Sequence, residues 1–234
     1  MREHHAEIGS TNDRALAWAR EGAPHGALVT ADAQTAGRGR LGRVWASPPG
    51  GLYASVVLRS DARAGFGAIG LAVGLGLREG LARWLPQTLL KWPNDLLCGG
   101  RKLGGVLCEA RWYAGAADIV AGFGINVEQR EFPAGLTATS VAIELSEGTC
   151  PSRQEVLAAV LRGLEGVLAG FFTGGFAAIR GRYQAHSAVL GQRVRIGEDT
   201  LEAVGFDDDG ALRVRSGAGT RRVEAGDVWL VDGA

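Results

Sequence analysis

The spacing of apolar residues along most of the chain predicts a mixture of helices and strands. Ser10 is a natural N-cap, and the apolar face that follows it as far as Gly22 predicts a short helix. Two apolar runs separated by Gly99 and Gly100 predict a β-hairpin over 95–112, because paired glycines suit the turn between adjacent strands. Other apolar runs predict four more strands, and longer helical periodicity predicts three more helices. The strands are 27–32, 52–59, 88–93 and 117–127, and the helices are 66–85, 152–172 and 176–186.

The pattern changes near residue 188. From 192 to 231 the chain consists of short apolar runs separated by turn signals, at the intervals that are typical of a small all-β unit. We therefore predict an α+β protein with two parts. Residues 1–187 form a domain built on a mixed β-sheet with flanking helices, and residues 188–234 form a small β-barrel with a core of its own.

Composition narrows the possible functions. Of the 234 residues, 46% are hydrophobic and 21% are charged, and 25 Lys and Arg balance 25 Asp and Glu. Such a neutral chain lacks the basic footprint that is usual in nucleic-acid-binding proteins. The polar N-terminus shows no signal-peptide pattern, and the longest apolar stretch, 66–77, is too short and glycine-interrupted to span a bilayer. We therefore expect a cytoplasmic protein that binds neither nucleic acid nor a membrane.

The cysteines are odd in number and lack metal-ligand spacing, so we expect free thiols in a reducing compartment. They are Cys98, Cys108 and Cys150. The two-residue turn of the predicted hairpin places Cys98 opposite Arg101 rather than opposite Cys108, which also argues against a disulfide. We expect His4 and His5 to lie in a frayed N-terminus, without a role as metal ligands.

The stretch 32–53, DAQTAGRGRLGRVWASPPGGLY, mixes arginines with glycines and contains no acidic residue after Asp32. Arginine offers ionised, planar donors that suit carboxylates and phosphates, and glycine lets backbone amides approach an anion. Arg38, Arg40 and Arg43 therefore indicate an anion site, with a solvated surface loop as the ordinary alternative. Neither a Walker A motif nor a helix-forming GxGxxG is present, so a nucleotide would bind by another architecture.

Three further segments place polar residues at strand ends or turns. They are KWPND (91–95), RKLGG (101–105) and GFGIN (122–126), and each taken singly is an ordinary turn. In order with STN, QTAGRGRLGRVW and ATS, they resemble the biotin protein ligases. The resemblance covers about residues 8–145, and the C-terminal unit agrees in type and place. Because no N-terminal helix-turn-helix region is recognisable, the sequence is similar to the single-function class without DNA-binding activity.

The resemblance implies a fold and a reaction. The fold is the class II synthetase and lipoate-ligase type, with residues 1–187 as a catalytic domain that binds biotin and ATP, and residues 188–234 as an SH3-like β-barrel. Enzymes of this family activate biotin with ATP to biotinyl-5′-AMP and then transfer biotin to one lysine of a biotin carboxyl carrier protein. Mg²⁺ is expected to arrive with the triphosphate, since the sequence shows no acidic cluster for it. The choice of carrier, and whether the protein is a monomer or a homodimer, stay open.

Two alternatives are a relative that handles lipoate or octanoate on the same fold and a non-enzymatic binding protein. The intact arginine loop and RKLGG favour biotin over lipoate. The neutral charge and the lack of a recognition helix count against the non-enzymatic binding protein.

The resemblance also implies a role for each matching residue. The residues implied for biotin are Ser10, Thr11, Gln34, Gly37, Arg38, Gly105 and Gly122. The residues implied for ATP and the adenylate are Arg40, Arg43, Trp45, Lys91, Asn94, Lys102 and Asn126.

Three residues are implied as catalytic. Lys102 would bridge the biotin carboxylate and the α-phosphate as charge develops. Arg40 would help to close the loop as a lid over the adenylate. Asp95 would orient Lys102 or accept a proton from the incoming carrier lysine. Among the biotin residues, Arg38 would meet the tail carboxylate, while Gly105 and Gly122 would leave room for the ligand.

Overall fold

Two β-sheets and four helices make up the computed structural model, which describes residues 1–60, 66–113, 116–146, 149–217 and 219–231. The larger sheet contains β1 (Arg2–Ile8), β2 (Leu28–Gln34), β3 (Gly51–Ser60), β4 (Leu89–Lys91), β5 (Asp95–Cys98), β6 (Arg101–Tyr113) and β7 (Ala116–Asn126). The smaller sheet contains β8 (Arg193–Ile196), β9 (Asp199–Phe206), β10 (Leu212–Ser216), β11 (Gly219–Val223) and β12 (Trp229–Leu230). The helices are α1 (Thr11–Arg20), α2 (Ile69–Leu81), α3 (Val141–Glu144) and α4 (Arg153–Gln184).

The larger sheet is mixed, which confirms the predicted α+β class. Its strand order is β1-β2-β3-β7-β6-β5-β4. β1 and β2 run parallel, and every other neighbouring pair in this sheet is antiparallel. Successive strand residues point to opposite faces, so Val57 packs with α1 while Val56 packs in the core that contains α2 and α4. The sheet therefore lies between helices on both faces.

The predicted hairpin is formed by β5 and β6. Gly99 and Gly100 both have positive φ, 55° and 74°, as a tight turn between these strands requires. Cys98 pairs with Arg101 across the turn, as predicted. Burial raises the pKa of the Cys98 thiol to about 11, so this free cysteine stays protonated at neutral pH. The other two cysteines, Cys108 and Cys150, are also free.

The expectation of a frayed N-terminus is wrong, because residues 2–8 form the edge strand β1. His4 pairs with Thr30 in the parallel register, and His4 Nδ1 lies 3.1 Å from Thr30 Oγ1. His5 pairs with Ala31 on the same strand. Most side chains of β1 are exposed, so the strand carries no apolar run that the sequence pattern could detect.

The predicted helices at 152–172 and 176–186 are two parts of α4, which changes direction at Gly175 (φ 64°, ψ −161°). Ser152 and Glu155 form the predicted capping box. α4 and α2 approach closely, since a Cβ on Gly163 would overlap the backbone oxygen of Gly76. By length and composition alone α4 would be long and apolar enough to cross a membrane, and 44% of its most apolar window is buried in the protein. Much of its apolar surface thus packs in the core.

The C-terminal part is a five-stranded antiparallel sheet of order β11-β10-β9-β8-β12, and it packs against α4 and the larger domain. Phe206 packs edge-on against Tyr183 and Phe176 of α4, with ring centroids 5.2 and 6.2 Å apart. Trp92 Nε1 donates to Gly210 O at 3.0 Å. Buried residues of both parts form one continuous cluster, so the core of the C-terminal sheet is joined to that of the larger domain.

We expect Phe206→Ala to destabilise the whole chain by about 3–5 kcal/mol, because it removes a buried ring shared by the two parts. Thermal unfolding followed by circular dichroism should show one transition at a lower Tm. Leu230→Ala, on the same sheet but 37% exposed, is the matched control and should change Tm little. Two separate transitions in the Phe206 variant would contradict a shared core.

Candidate active site

The first turn of α1 and the end of β2 form one wall of the candidate site. The Thr11 backbone N–H donates to Gln34 Oε1 at 2.8 Å, and Thr11 Oγ1 lies 3.1 Å from the same oxygen. Gln34 Nε2 donates in turn to Ser47 Oγ at 2.8 Å. Ser10 occupies the N-cap position of α1, yet its side chain makes no capping hydrogen bond. The structure thus brings together three of the residues implied for biotin.

Asn12 connects this wall to β3 and β6. Its side-chain oxygen accepts from Ser55 Oγ at 2.6 Å, and its Nδ2 donates to Leu107 O at 3.1 Å and to Glu109 Oε2 at 2.8 Å. A Cβ on Gly122 of β7 would overlap Asn12 Oδ1. The space above Gly122, which the sequence analysis assigned to biotin, is therefore occupied by Asn12.

Acids from elsewhere in the chain hold Arg38 at the start of the loop. Its guanidinium donates to both carboxylate oxygens of Glu109, at 3.1 and 2.8 Å, and to Asp13 Oδ1 at 2.7 Å. The forked contact with Glu109 is the geometry that a guanidinium and a carboxylate favour. The loop contains no acid of its own, but in three dimensions its first arginine is already paired.

Trp45 lies on a surface made of glycines. Gly105 of β6 and Gly124 of β7 pair across the sheet. A Cβ on Gly124 would lie 2.5 Å from Trp45 Nε1, and a Cβ on Gly105 would lie 3.4 Å from its Cζ3. The backbone N–H of Trp45 donates to Gly37 O at 2.9 Å, and a Cβ on Gly37 would lie 2.6 Å from Ser47 Oγ. These glycines let the loop fold back and lay an indole ring directly on the sheet.

Lys102 and Asp95 meet across the β5–β6 hairpin. Lys102 Nζ lies 2.7 Å from Asp95 Oδ1 and 5.2 Å from the centroid of the Trp45 ring. Lys91 Nζ lies 3.8 Å from the other oxygen of Asp95 and 5.0 Å from the centroid of the Trp229 ring. Lys102 Nζ and Asp95 Oδ1 do not meet with the geometry of a hydrogen bond, so the contact is an ion pair. Asp95 thus lies between two ammonium groups, each of which is next to a tryptophan ring.

Arg40 extends towards the KWPND turn. Its Nη1 lies 3.3 Å from Asn94 Oδ1, while Asn94 Nδ2 donates to Val106 O at 3.1 Å. These residues line part of a cavity of about 590 Å³ that also touches Trp112 and Gly210. The volume falls in the range of small-molecule sites, about 300–1,000 Å³. Within the described ranges Arg40 forms no ion pair, so its charge is not neutralised by a carboxylate.

Asn126 has a supporting position. Its Nδ2 donates to Thr139 O at 2.8 Å and to Lys102 O at 3.4 Å, and the residue is 6% exposed. The Lys102 N–H donates to Thr137 O at 3.0 Å, and the Thr139 N–H donates to Lys102 O at 2.9 Å. The ATS segment, 138–140, is therefore fixed beside the backbone of Lys102.

The end of the loop reaches the C-terminal sheet. Arg43 forms an ion pair with Asp227, in which Nη1 lies 3.3 Å from Oδ1 and Nη2 contacts Oδ2. Asp227 and Glu109 are each an isolated acid far from its partner along the chain, so no local sequence pattern marks either of them. A run of arginines without neighbouring acids was the signal that such partners had to come from elsewhere.

Comparisons with known proteins decide the family. The biotin/lipoate A/B protein ligase family matches residues 6–126, which is just over half of the chain. The biotin protein ligase C terminal domain matches residues 189–231. This chain belongs to the biotin/lipoate A/B protein ligase family.

Individual members are similar over nearly the whole chain. The biotin–[acetyl-CoA-carboxylase] ligase of Mycobacterium tuberculosis is 35% identical over 95% of this chain and 86% of its own length. The ligase of the same name from Paracoccus denitrificans is 33% identical over 96% and 98%. The structure of biotin protein ligase from Aquifex aeolicus in complex with biotin and ATP superposes with a TM-score of 0.85, at 31% identity and 98% coverage of both chains. The predicted family and fold are confirmed.

A metal site requires several His, Cys, Asp or Glu side chains close together. Within the described part of the chain, no three His, Cys, Asp or Glu side chains are grouped so as to hold a metal ion. Asp95, the acid of the candidate site, is contacted by Lys102 and Lys91. A metal ion in this site would therefore have to be held mainly by a bound phosphate.

We expect Gly124→Ala to displace the Trp45 ring, because the new Cβ would lie 2.5 Å from Nε1. Overpacking of this kind costs about 1–3 kcal/mol. Limited trypsin digestion should then cleave faster after Arg38, Arg40 and Arg43. Gly181→Ala is the control, since a Cβ there has no atom within 4 Å. Equal cleavage of the two variants would show that Trp45 does not depend on the glycine surface.

Proposed function

We propose that this protein is a biotin protein ligase. It joins biotin to ATP, giving biotinyl-5′-AMP and pyrophosphate, and then transfers the biotinyl group to a lysine of a biotin carboxyl carrier protein, releasing AMP. The observation that carries the proposal is the Lys102 ammonium group, held 2.7 Å from Asp95 Oδ1 beside the Trp45 ring. Membership of the ligase family and the names of the relatives support it.

The first step needs positive charge. A carboxylate oxygen of biotin attacks the α-phosphorus of ATP, and the bond from that phosphorus to the bridging oxygen breaks as pyrophosphate leaves. Both reactants are anionic, so cations that are already in place stabilise the transition state. We assign this task to Lys102, with Lys91 as a second cation, and to Arg40, which forms no ion pair within the described ranges and so keeps its charge for phosphate.

The second step needs a proton acceptor. The amine of the carrier lysine attacks the carbonyl carbon of the mixed anhydride, and the bond to the phosphate oxygen breaks so that AMP leaves. The attacking amine must lose a proton. Asp95 is the carboxylate beside Lys102, and we assign it either to accept that proton or to hold Lys102 in place.

The arginine loop is the lid of this mechanism. Water would hydrolyse the adenylate, so a closed loop protects it. Trp45 rests on Gly105 and Gly124 and fixes one end of the closed loop. Arg38 forms ion pairs with Glu109 and Asp13 and anchors the other end of the loop. Because its charge is already neutralised by these two carboxylates, we assign the tail carboxylate of biotin mainly to Lys102.

The remaining implied contacts stay proposals with these adjustments. Ser10, Thr11, Gln34 and the backbone of Gly37 border the wall proposed for biotin. Arg43 and Asn94 would serve the nucleotide. Asn126 would act through the backbone of Lys102 and Thr139, to which its side chain is bonded.

The natural partner proposed is the carrier protein of acetyl-CoA carboxylase, since two relatives carry that substrate in their names. Mg²⁺ would enter with the triphosphate and balance its charge. We propose a cytoplasmic location, which fits the free cysteines. Incubation with biotin, MgATP and a purified carrier domain should add one biotin mass increment to the carrier in mass spectrometry. A lipoate increment instead of biotin would favour the alternative substrate.

We expect Lys102→Ala to reduce biotinyl-5′-AMP formation by roughly a hundred- to a thousandfold, the effect of losing one preorganised contact to developing charge. Pyrophosphate release measures the step, and biotin binding by calorimetry should change less. Lys102→Arg keeps the charge but not the compact ammonium, and it should recover only part of the rate. A normal rate in Lys102→Ala would show that its assigned role is wrong.

Arg40→Gly should fail differently. We expect it to form the adenylate but retain it poorly, because the lid loses its contact with Asn94. The released adenylate should then label lysines on an unrelated protein, which a streptavidin blot detects. If Arg40→Gly labels only the carrier, then Arg38 or Arg43 is the better candidate for lid closure.

A further inference from the structure

Two residues of the C-terminal sheet contact cations of the candidate active site. Asp227 pairs with Arg43 at the end of the arginine loop. Trp229, two residues later, places its ring 5.0 Å from the Lys91 ammonium group. One short segment, residues 227–229, therefore meets two separate parts of the site: the loop above it and the KWPND turn beside it.

These contacts are not what attaches the C-terminal sheet to the protein. The sheet is attached instead by the buried ring of Phe206 and by the buried hydrogen bond from Trp92 to Gly210 O. Asp208 also pairs with Arg180 of α4, as a second surface ion pair. Trp229, by contrast, is 48% exposed and contributes little to the core. The two contacts of 227–229 thus need an explanation other than holding the sheet in place.

The loop itself shows why an outside contact is needed. Leu41, at its tip, has left-handed backbone angles (φ 56°, ψ 35°), which are unfavourable for a non-glycine residue. The apolar side chains of the tip do not offset this cost, because Leu41 is 71% exposed and Val44 is 85% exposed. Inside the tip, the Gly39 N–H donates to Arg43 O at 2.7 Å and the Arg43 N–H donates to Arg40 O at 3.2 Å. The contacts of Arg40 with Asn94 and of Arg43 with Asp227 join the tip to the rest of the protein.

We propose that residues 227–229 are a latch for the active site: Asp227 holds the arginine loop closed through Arg43, and Trp229 holds Lys91 towards Asp95. Both are positioning residues, since they act through Arg43 and Lys91 rather than on the substrates. The proposal rests on the proposed ligase function for its catalytic consequences, but not for the closed position of the loop. It gives the C-terminal sheet a task in retaining the adenylate.

The Asp227 contact is tested with a matched ion pair. Asp227→Asn should speed tryptic cleavage after Arg38 and Arg40 without any substrate by roughly two- to fivefold, the scale of an exposed ion pair. Asp208→Asn removes the surface ion pair of the C-terminal part with Arg180 of α4 and should leave loop cleavage unchanged. Asp227→Glu should restore protection. Thermal unfolding should be alike in the Asn variants. Equal loop cleavage in Asp227→Asn and Asp208→Asn would overturn the latch.

The same variants separate the latch from the proposed function. In a ligase, Asp227→Asn should keep pyrophosphate release but label a bystander protein about two- to fivefold more than Asp208→Asn does. A wild-type protein that releases no pyrophosphate would overturn the ligase proposal, while the cleavage result would still decide the position of the loop. Wild-type activity together with no excess labelling by Asp227→Asn would overturn the latch alone.

Trp229 is tested through the KM for ATP, because Lys91 is assigned to the nucleotide. Trp229→Ala should raise this KM by roughly two- to fivefold with kcat little changed, as expected for an exposed cation–π contact. Trp229→Phe keeps a ring and should recover most of the affinity. Leu230→Ala is the neighbouring control. A KM no higher in Trp229→Ala than in Leu230→Ala would overturn the assignment of Trp229.

Discussion

The ion pair between Lys102 and Asp95 organises the rest of the site. Asp95 lies on β5 and Lys102 on β6, and a two-residue turn joins these strands. The same turn that pairs the strands therefore brings the Asp95 carboxylate to 2.7 Å from the Lys102 ammonium group. Trp45 covers one side of this pair, and Lys91 lies on the other. A cation that is held before the substrates arrive needs little reorganisation during the reaction, which is how charged sites accelerate chemistry.

Close backbone approach is the second constraint. A Cβ on Gly105 would make only an ordinary contact with Trp45, whereas Gly122 and Gly124 lie beneath Asn12 and Trp45 and could not carry a Cβ without moving these side chains. Glycine at these positions therefore serves the protein's own packing rather than an open space for ligand. The indole and the amide placed there define the surfaces that a substrate would meet.

Local patterns in the sequence predicted local structure well. Gly99 and Gly100 predicted the hairpin, and Ser152 with Glu155 predicted the start of α4, because such signals act between neighbouring residues. β1 was missed since an exposed edge strand needs no apolar run.

Contacts between distant residues were beyond the same reasoning. Glu109 contacts Arg38 from 71 residues away along the chain. Phe206 joins the core through its contact with the Tyr183 ring of α4. The residues of the candidate site were implied by the family resemblance. The residues that pair with them were found only in the three-dimensional structure.

The ion pair between Arg43 and Asp227 has a consequence for the newly made protein. The two residues are 184 positions apart, so a growing chain carries the arginine loop long before the acid that pairs with it exists. On the ribosome the loop would therefore lack this one contact while most of the large sheet can already form. If this contact keeps a reactive acyl-adenylate inside the protein, then full retention begins only after translation has passed residue 227. Under that proposal, capture of the intermediate is timed by synthesis as well as by folding.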